Sequence, residues 1–202
     1  KNIPGHETFG MVCCTLKKEE IEKNGLTVHN LALEPIRILV NKSNPINDLP
    51  EEKIRAIFRG DIKNWAEVGG QDKPIVVVTR LHCKGRPGHW KTILPSEDDF
   101  RKERLDVKSA SEMAERINDF PGGIGHIGAT WDYKDDDKVK YIKVSGYEPN
   151  AKNLANKKYP FYRQLSAVTA GTVTDDLKIL LNEVRNGAGF KKASKRYGLL
   201  PN

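Results

Sequence analysis

LALEPIRILVNKSNPINDLPEEKIRAIFRGDIKNWAEVGGQDKPIVVVTR, residues 31–80, carries two hydrophobic periods in one run. Residues 36–40 are apolar and rich in β-branching, which reads as a strand, with an extended stretch at 27–33 before it. Residues 41–45 break that pattern. Asp48 is expected to cap a helix, with Pro50 tolerated in its first turn. Ile54, Ile57 and Phe58 then fall on one face at i, i+3, i+4, and Gly60 stops the helix. Residues 75–79 form a continuous β-branched run of the kind found in a buried parallel strand. Strand, helix and strand in alternation argue for an α/β fold.

The same alternation extends in both directions. A helix is expected over 16–23, ended by Asn24-Gly25. The loop 80–88 feeds a short helix near 89–94. Ser109 and Glu112 form a capping-box pattern ahead of Met113, Ala114 and Ile117, and Gly122-Gly123 ends that helix. Strands follow at 124–128, 139–144 and 164–169. Thr174 caps a helix with Leu177, Leu180, Leu181 and Val184 on one face. The last helix, 189–197, closes at Gly198 and Pro201. The acidic loop 132–138 reads as solvated. Calcium binding by Asp135, Asp136 and Asp137 is not favoured, because a bare acidic run lacks spaced ligands and a turning glycine.

The 202 residues suffice for one domain or two small lobes. Hydrophobic residues make up 38% and charged residues 30%, ordinary for a water-exposed globular chain. A net charge of +7 admits an anionic partner. The lysines are dispersed beside acids, as in KKEEIEK and RKERLDVK, and no nucleic-acid motif is present, so nucleic acid is not expected. No apolar run approaches the roughly 20 residues of a membrane span, which leaves at most a peripheral membrane role. No leader segment is read, so the chain is expected to be either cytosolic or a mature, processed product. Three cysteines is an odd count. At most one disulfide is expected, leaving at least one free thiol.

Several phrases occur in a telling order: LALEPIRILVNKSNP, IRAIFRGDIKNWAEVGGQDKPIVVVTR, GGIGHIG, GYEPN and YPFYRQL. From about Gly10 to Pro201 this order resembles the phosphate-type branch of the periplasmic solute-binding proteins of ABC transporters. The resemblance implies a type II two-lobed α/β fold with ligand held between the lobes. Lobe one would comprise 1–35 and 145–202, and lobe two 36–144. The family's opening βαβ segment, with its first ligand loop, has no counterpart here. Lobe one is therefore expected to be completed by an upstream segment or a partner chain.

The resemblance also marks two ligand loops. One is Thr8–Leu16, where Cys13 and Cys14 stand at the family's Ser and Arg-or-Asp positions. The other is Arg80-Leu81-His82-Cys83-Lys84-Gly85-Arg86, set against Arg-x-x-x-Ser-Gly-Thr. Arg80 and Gly85 match, Lys84 and Arg86 replace Ser and Thr, and Cys83 is added. Paired guanidinium N–H donors and glycine-loop amides suit an oxyanion. Solvated surface charge is the alternative for Lys84 and Arg86.

The cysteines have three readings. Cys83 bridges Cys13 or Cys14. Alternatively Cys13, Cys14 and Cys83 bind a soft metal or metalloid, with His6, His82 or His89 available. Or the thiols are buried and inert. His29 and His126 are expected to be structural and Trp65 and Trp90 core, while Tyr159 and Arg163 line the cleft or pack the hinge.

The leading functional expectation is a non-enzymatic, exported or periplasmic binding protein with no resident cofactor. It would capture a small anion or metalloid and serve an ABC permease or a sensor. A thiol or redox protein and a non-binding interaction module are the alternatives.

Overall fold

The computed structural model describes residues 8–86, 88–131 and 137–202. His6 and most of the acidic loop, including Asp132, Asp135 and Asp136, lie outside them. The strands are β1 (Thr8–Val12), β2 (Leu26–Asn41), β3 (Asp48–Leu49), β4 (Val76–Thr79), β5 (Leu105–Asp106), β6 (Gly123–Gly128), β7 (Val139–Val144), β8 (Tyr162–Ala170) and β9 (Leu200–Pro201). The helices are α1 (Lys18–Lys23), α2 (Glu51–Arg59), α3 (Ala110–Asp119), α4 (Ala151–Ala155), α5 (Asp175–Asn186) and α6 (Ala188–Tyr197), with short 3₁₀ turns at Trp65–Val68, His89–Thr92 and Glu97–Asp99. No described helix is long and apolar enough to cross a membrane.

The stretches expected at 27–33 and 36–40 are one 16-residue strand, β2. Glu34 and Pro35 interrupt its apolar pattern but not its backbone. From Leu26 to Pro35 it pairs antiparallel with β8, and Ala32 and Leu33 also pair with β9. From Ile36 onward its antiparallel neighbours are β6 and β7. On its free side β8 carries β1, also antiparallel. β4 lies parallel to both β6 and β5, the buried parallel strand read from its composition.

Strand alternation divides the core around β2. Ile36, Ile38 and Val40 join Ile54, Ile57 and Phe58 of α2, Trp65, Trp90, and also Leu154, Tyr159 and Phe161. Leu39 faces the opposite way, onto Met113, Ala114 and Ile117 of α3. Burying each of these large side chains favours folding by roughly 1.5–3 kcal/mol. Leu31 and Ala167 build a smaller core with Leu177 and Leu181 of α5.

The helix-stop reading holds at Gly60 and Gly198, both left-handed. Ser109 and Thr174 cap α3 and α5 through their hydroxyls. Two expectations are corrected. Asp48 does not cap α2. It lies in β3, and its carboxylate accepts from the Gly146 N–H at 3.0 Å, while Pro50 takes the cap position. Leu180 is 44% exposed, because α5 packs on the sheet along Leu177 and Leu181, with Val184 partly buried beside them.

Candidate functional site

Two chain reversals meet at the carboxyl ends of β1 and β4, the end of an α/β sheet where ligands collect. β1 delivers Cys13 and Cys14 and is anchored by Val12 opposite Ser166 of β8. β4 delivers Arg80 through Arg86. That second loop is a tight turn, closed by Arg86 N–H donating to the Cys83 carbonyl at 2.9 Å. Cys83 and His89 both take left-handed backbone angles, φ 54° and 55°, although neither is glycine. The indole N–H of Trp90 fastens the loop to the core by donating to the His82 carbonyl at 2.6 Å.

The loops come together as the sequence reading required, with a different grouping of donors. Cys13 Sγ, Cys14 Sγ and a ring nitrogen of His82 lie within 4.8 Å of one another. All three thiols are free, and the Cys13 and Cys14 sulfurs stand 3.9 Å apart, far beyond a disulfide length of about 2.05 Å. Cys13 is exposed and Cys14 buried. Hydrogen bonds to Cys14 and then His82 hold the Cys13 thiol well below its usual range. The contact with Cys13, burial, and a hydrogen bond to Cys83 push Cys14 up.

The cations of the second loop differ in their commitments. Lys84 pairs with Glu97 at 2.7 Å. Arg86 makes a forked pair with Glu20 of α1, with contacts of 2.9–3.2 Å, so it ties the two loops together. That pair holds the Glu20 carboxyl below its ordinary range. Arg80 donates Nε–H to the Lys108 carbonyl at 2.9 Å and has no carboxylate partner among the described residues. It borders a cleft of about 370 Å³ with His82, Lys84, Glu97, Asp106 and Lys108. A Cβ on Gly85 would meet nothing within 4 Å, so space alone does not demand glycine there.

Beside Arg80 lies a narrow, partly open pocket also lined by His89, His126 and Arg163. Arg163 is cross-strand from Glu34, and the two form a buried ion pair. The other Glu34 oxygen accepts from Thr130 N–H at 2.8 Å and Thr130 Oγ1 at 2.6 Å. A Cβ on Gly128 would come within 2.6–2.9 Å of this pair, which explains a glycine at that point of β6. His89 packs between His82 and His126, with ring centroids 4.4 and 5.7 Å apart. Burial pushes His89 far below the usual imidazole range, with His126 and Arg163 adding to it. His126 Nδ1 and Nε2 and His89 Nδ1 are buried with no hydrogen-bond partner among the described residues.

His29 is structural, its Nε2 3.0 Å from Thr169 Oγ1. Trp65 and Trp90 are core, at 1% and 2% exposure. Tyr159 is buried and donates to the Ile36 carbonyl at 2.8 Å. Glu34 and His126 escaped the sequence reading of the site. For Glu34 a signal existed: a lone carboxylate inside LALEPIRILV needs a buried partner. For His126 none existed, since pairing between β2, β4 and β6 carries it to the pocket.

With this geometry in place, relatives can be compared. Residues 8–184 match the PBP superfamily domain, and the chain belongs to that superfamily. More narrowly, it is 30% identical over 186 residues to the phosphate-binding protein PstS of Bacillus subtilis, covering 92% of this chain and 61% of the relative. It is 29% identical over 168 residues to PstS of Borreliella burgdorferi, covering 79% and 60%. The chain thus spans about three fifths of the length of these relatives. A crystal structure from Clostridium perfringens, assigned to a phosphate ABC transporter substrate-binding protein and holding phosphate, superposes with TM-score 0.81 at 27% identity. It is matched over 96% of this chain and 79% of its own. An ABC-type phosphate transport receptor from Vibrio cholerae gives 0.70 at 26% identity, over 95% and 79%. The mixed α/β fold is that of these periplasmic binding proteins.

Proposed function

We propose that this chain is an exported, non-enzymatic binding protein that captures a small tetrahedral oxyanion, phosphate first, and delivers it to an ABC permease or reports it to a sensor. The observation that carries the reading is Arg80. Its guanidinium sits at the end of β4 without a described carboxylate partner, between the open cleft and the pocket lined by Arg163. Binding rather than catalysis fits relatives that are described as phosphate-binding proteins. The two lobes would be 1–35 with 145–202, and 36–144. The exchange of β2's partners between Pro35 and Ile36 supports a boundary there. Closure of one lobe on the other would trap the anion.

Isothermal titration and thermal unfolding with inorganic phosphate, arsenate and sulfate test this. One phosphate per chain and a raised melting temperature are expected, since a ligand that binds only the folded state stabilises it. Hydrogen bonds to charged groups contribute roughly 1.5–3 kcal/mol, so Arg80→Ala should weaken binding about tenfold or more. Absence of heat and of a melting shift with all three anions would sink the reading.

A further inference from the structure

We infer that Cys13, Cys14 and His82 form a site for one soft, thiophilic cation of the Cu(I) or Zn(II) kind, separate from the oxyanion held by Arg80. Two sulfurs and one imidazole are the donor set that such ions select over harder ones. The spacing fits. Sulfurs 3.9 Å apart, each bound at about 2.3 Å, subtend an angle of about 116° at the ion, between tetrahedral and trigonal. The imidazole lies within 4.8 Å of both sulfurs, so a small inward turn of its ring completes three-coordination.

A second observation concerns the imidazole's other side. His82 Nδ1 lies 3.2 Å from the Arg80 carbonyl, and a carbonyl can only accept. Nδ1 is thereby kept protonated, and Nε2 is the nitrogen an ion would take, displacing the hydrogen bond that the ring gives Cys13. A histidine that donates one nitrogen to a backbone carbonyl and offers the other is the usual outer-shell arrangement of a metal ligand. The ring cannot swing freely, because His89 packs on it at 4.4 Å and Trp90 pins the His82 carbonyl. Exposed Cys13 gives an ion a way in, while buried Cys14 shields it from water. On binding, each coordinating thiol loses its proton to solvent. Cys83 falls outside the trio and is not among its ligands.

The test uses the full chain, reduced and kept anaerobic, loaded with Cu(I) or Zn(II), dialysed, and read by elemental mass spectrometry, thiolate-to-metal absorption and competition against a chelator. One ion per chain is expected. Cys13→Ser and His82→Gln should each weaken it about tenfold or more, with Cys83→Ser within about twofold of the parent. Cys13 and His82 are both accessible enough for replacement without loss of fold, which unfolding curves verify. No retained ion, or equal retention in Cys13→Ser and His82→Gln, overturns the site. Arsenite held by the parent and lost in Cys83→Ser would mean three thiolates in place of the imidazole and overturns it too. Arg80→Ala separates the two proposals, since His82 uses only the main-chain carbonyl of Arg80: phosphate lost with the ion kept is expected, and loss of the ion as well overturns a separate metal site.

Discussion

Cys83, His89, Ser145 and Lys157 hold left-handed backbone angles that their β carbons resist. Such a residue costs on the order of 1–2 kcal/mol and persists only where its surroundings over-determine it. In the loop after β4 the surroundings are visible. Arg86 and Trp90 hold the main chain before and after Cys83, and Thr92 Oγ1 donates to the His89 carbonyl at 2.8 Å. Strain is thus concentrated where ligand would be met. Lys157 is the control. It is exposed, closes α4 with its N–H on the Leu154 carbonyl at 3.0 Å, and lies outside the candidate site. Lys157→Gly keeps that hydrogen bond and removes the β carbon. Urea unfolding should show a gain of about 0.5–1 kcal/mol, the left-handed relief less the added freedom of the unfolded chain. A loss of stability would mean that the angle carries no strain.

Among elements, the glycines of β6 and the turn before it decide how closely α3 and the chain leading into β4 can lie. A Cβ on Gly122 would sit 2.0 Å from the Pro74 carbonyl oxygen, and one on Gly125 would press on Ile117 and Met113 at 2.8 and 3.0 Å. Gly122 cannot back away cheaply, since its carbonyl accepts from Trp65 Nε1 at 3.0 Å and Val76 N–H at 2.9 Å. Gly122→Ala should therefore destabilise by about 2 kcal/mol or more in chemical unfolding, and Gly85→Ala, with open space around it, by under about 0.5 kcal/mol. Equal effects would refute this account of GGIGHIG. The sequence displayed these elements through local rules: caps at Ser109 and Thr174, stops at Gly60 and Gly198, and helical spacing at Ile54, Ile57 and Phe58. It hid what is set by partners across the sheet. β2 is continuous because β8 and then β6 and β7 bond it through Glu34 and Pro35, a fact absent from its own composition. The two loops were legible from their phrases. Their donor set was legible in part: His82 was read as available to the thiols, but the spacing of Cys13, Cys14 and Cys83 does not say that His82 rather than Cys83 completes the group.

For the whole molecule, the buried imidazole of His126 sets a limit toward acid. Burial, then the positive surroundings of His82, Arg80 and Arg163, lowers its pKa to about 3. Phe58 covers it at 5.9 Å and supplies no acceptor, and neither ring nitrogen has a hydrogen-bond partner among the described residues. In the unfolded chain the same ring titrates near 6.5. Above that pH both states hold it neutral, and its protonation contributes no difference. As pH falls below about 6.5 the unfolded chain takes up a proton that the folded one refuses. Stability then drops by about 1.4 kcal/mol per pH unit until the folded ring titrates. Between pH 7 and pH 5 this group alone should cost about 2 kcal/mol. His126→Leu removes the proton site and two unpartnered polar atoms at similar volume. Its denaturant-unfolding free energy should match or exceed that of the parent at pH 7, and fall by about 2 kcal/mol less on going to pH 5. Parallel pH profiles for the two proteins would show that His126 is already protonated in the folded state, and that the pocket it shares with Arg80, His89 and Arg163 holds a counter-charge near the ring.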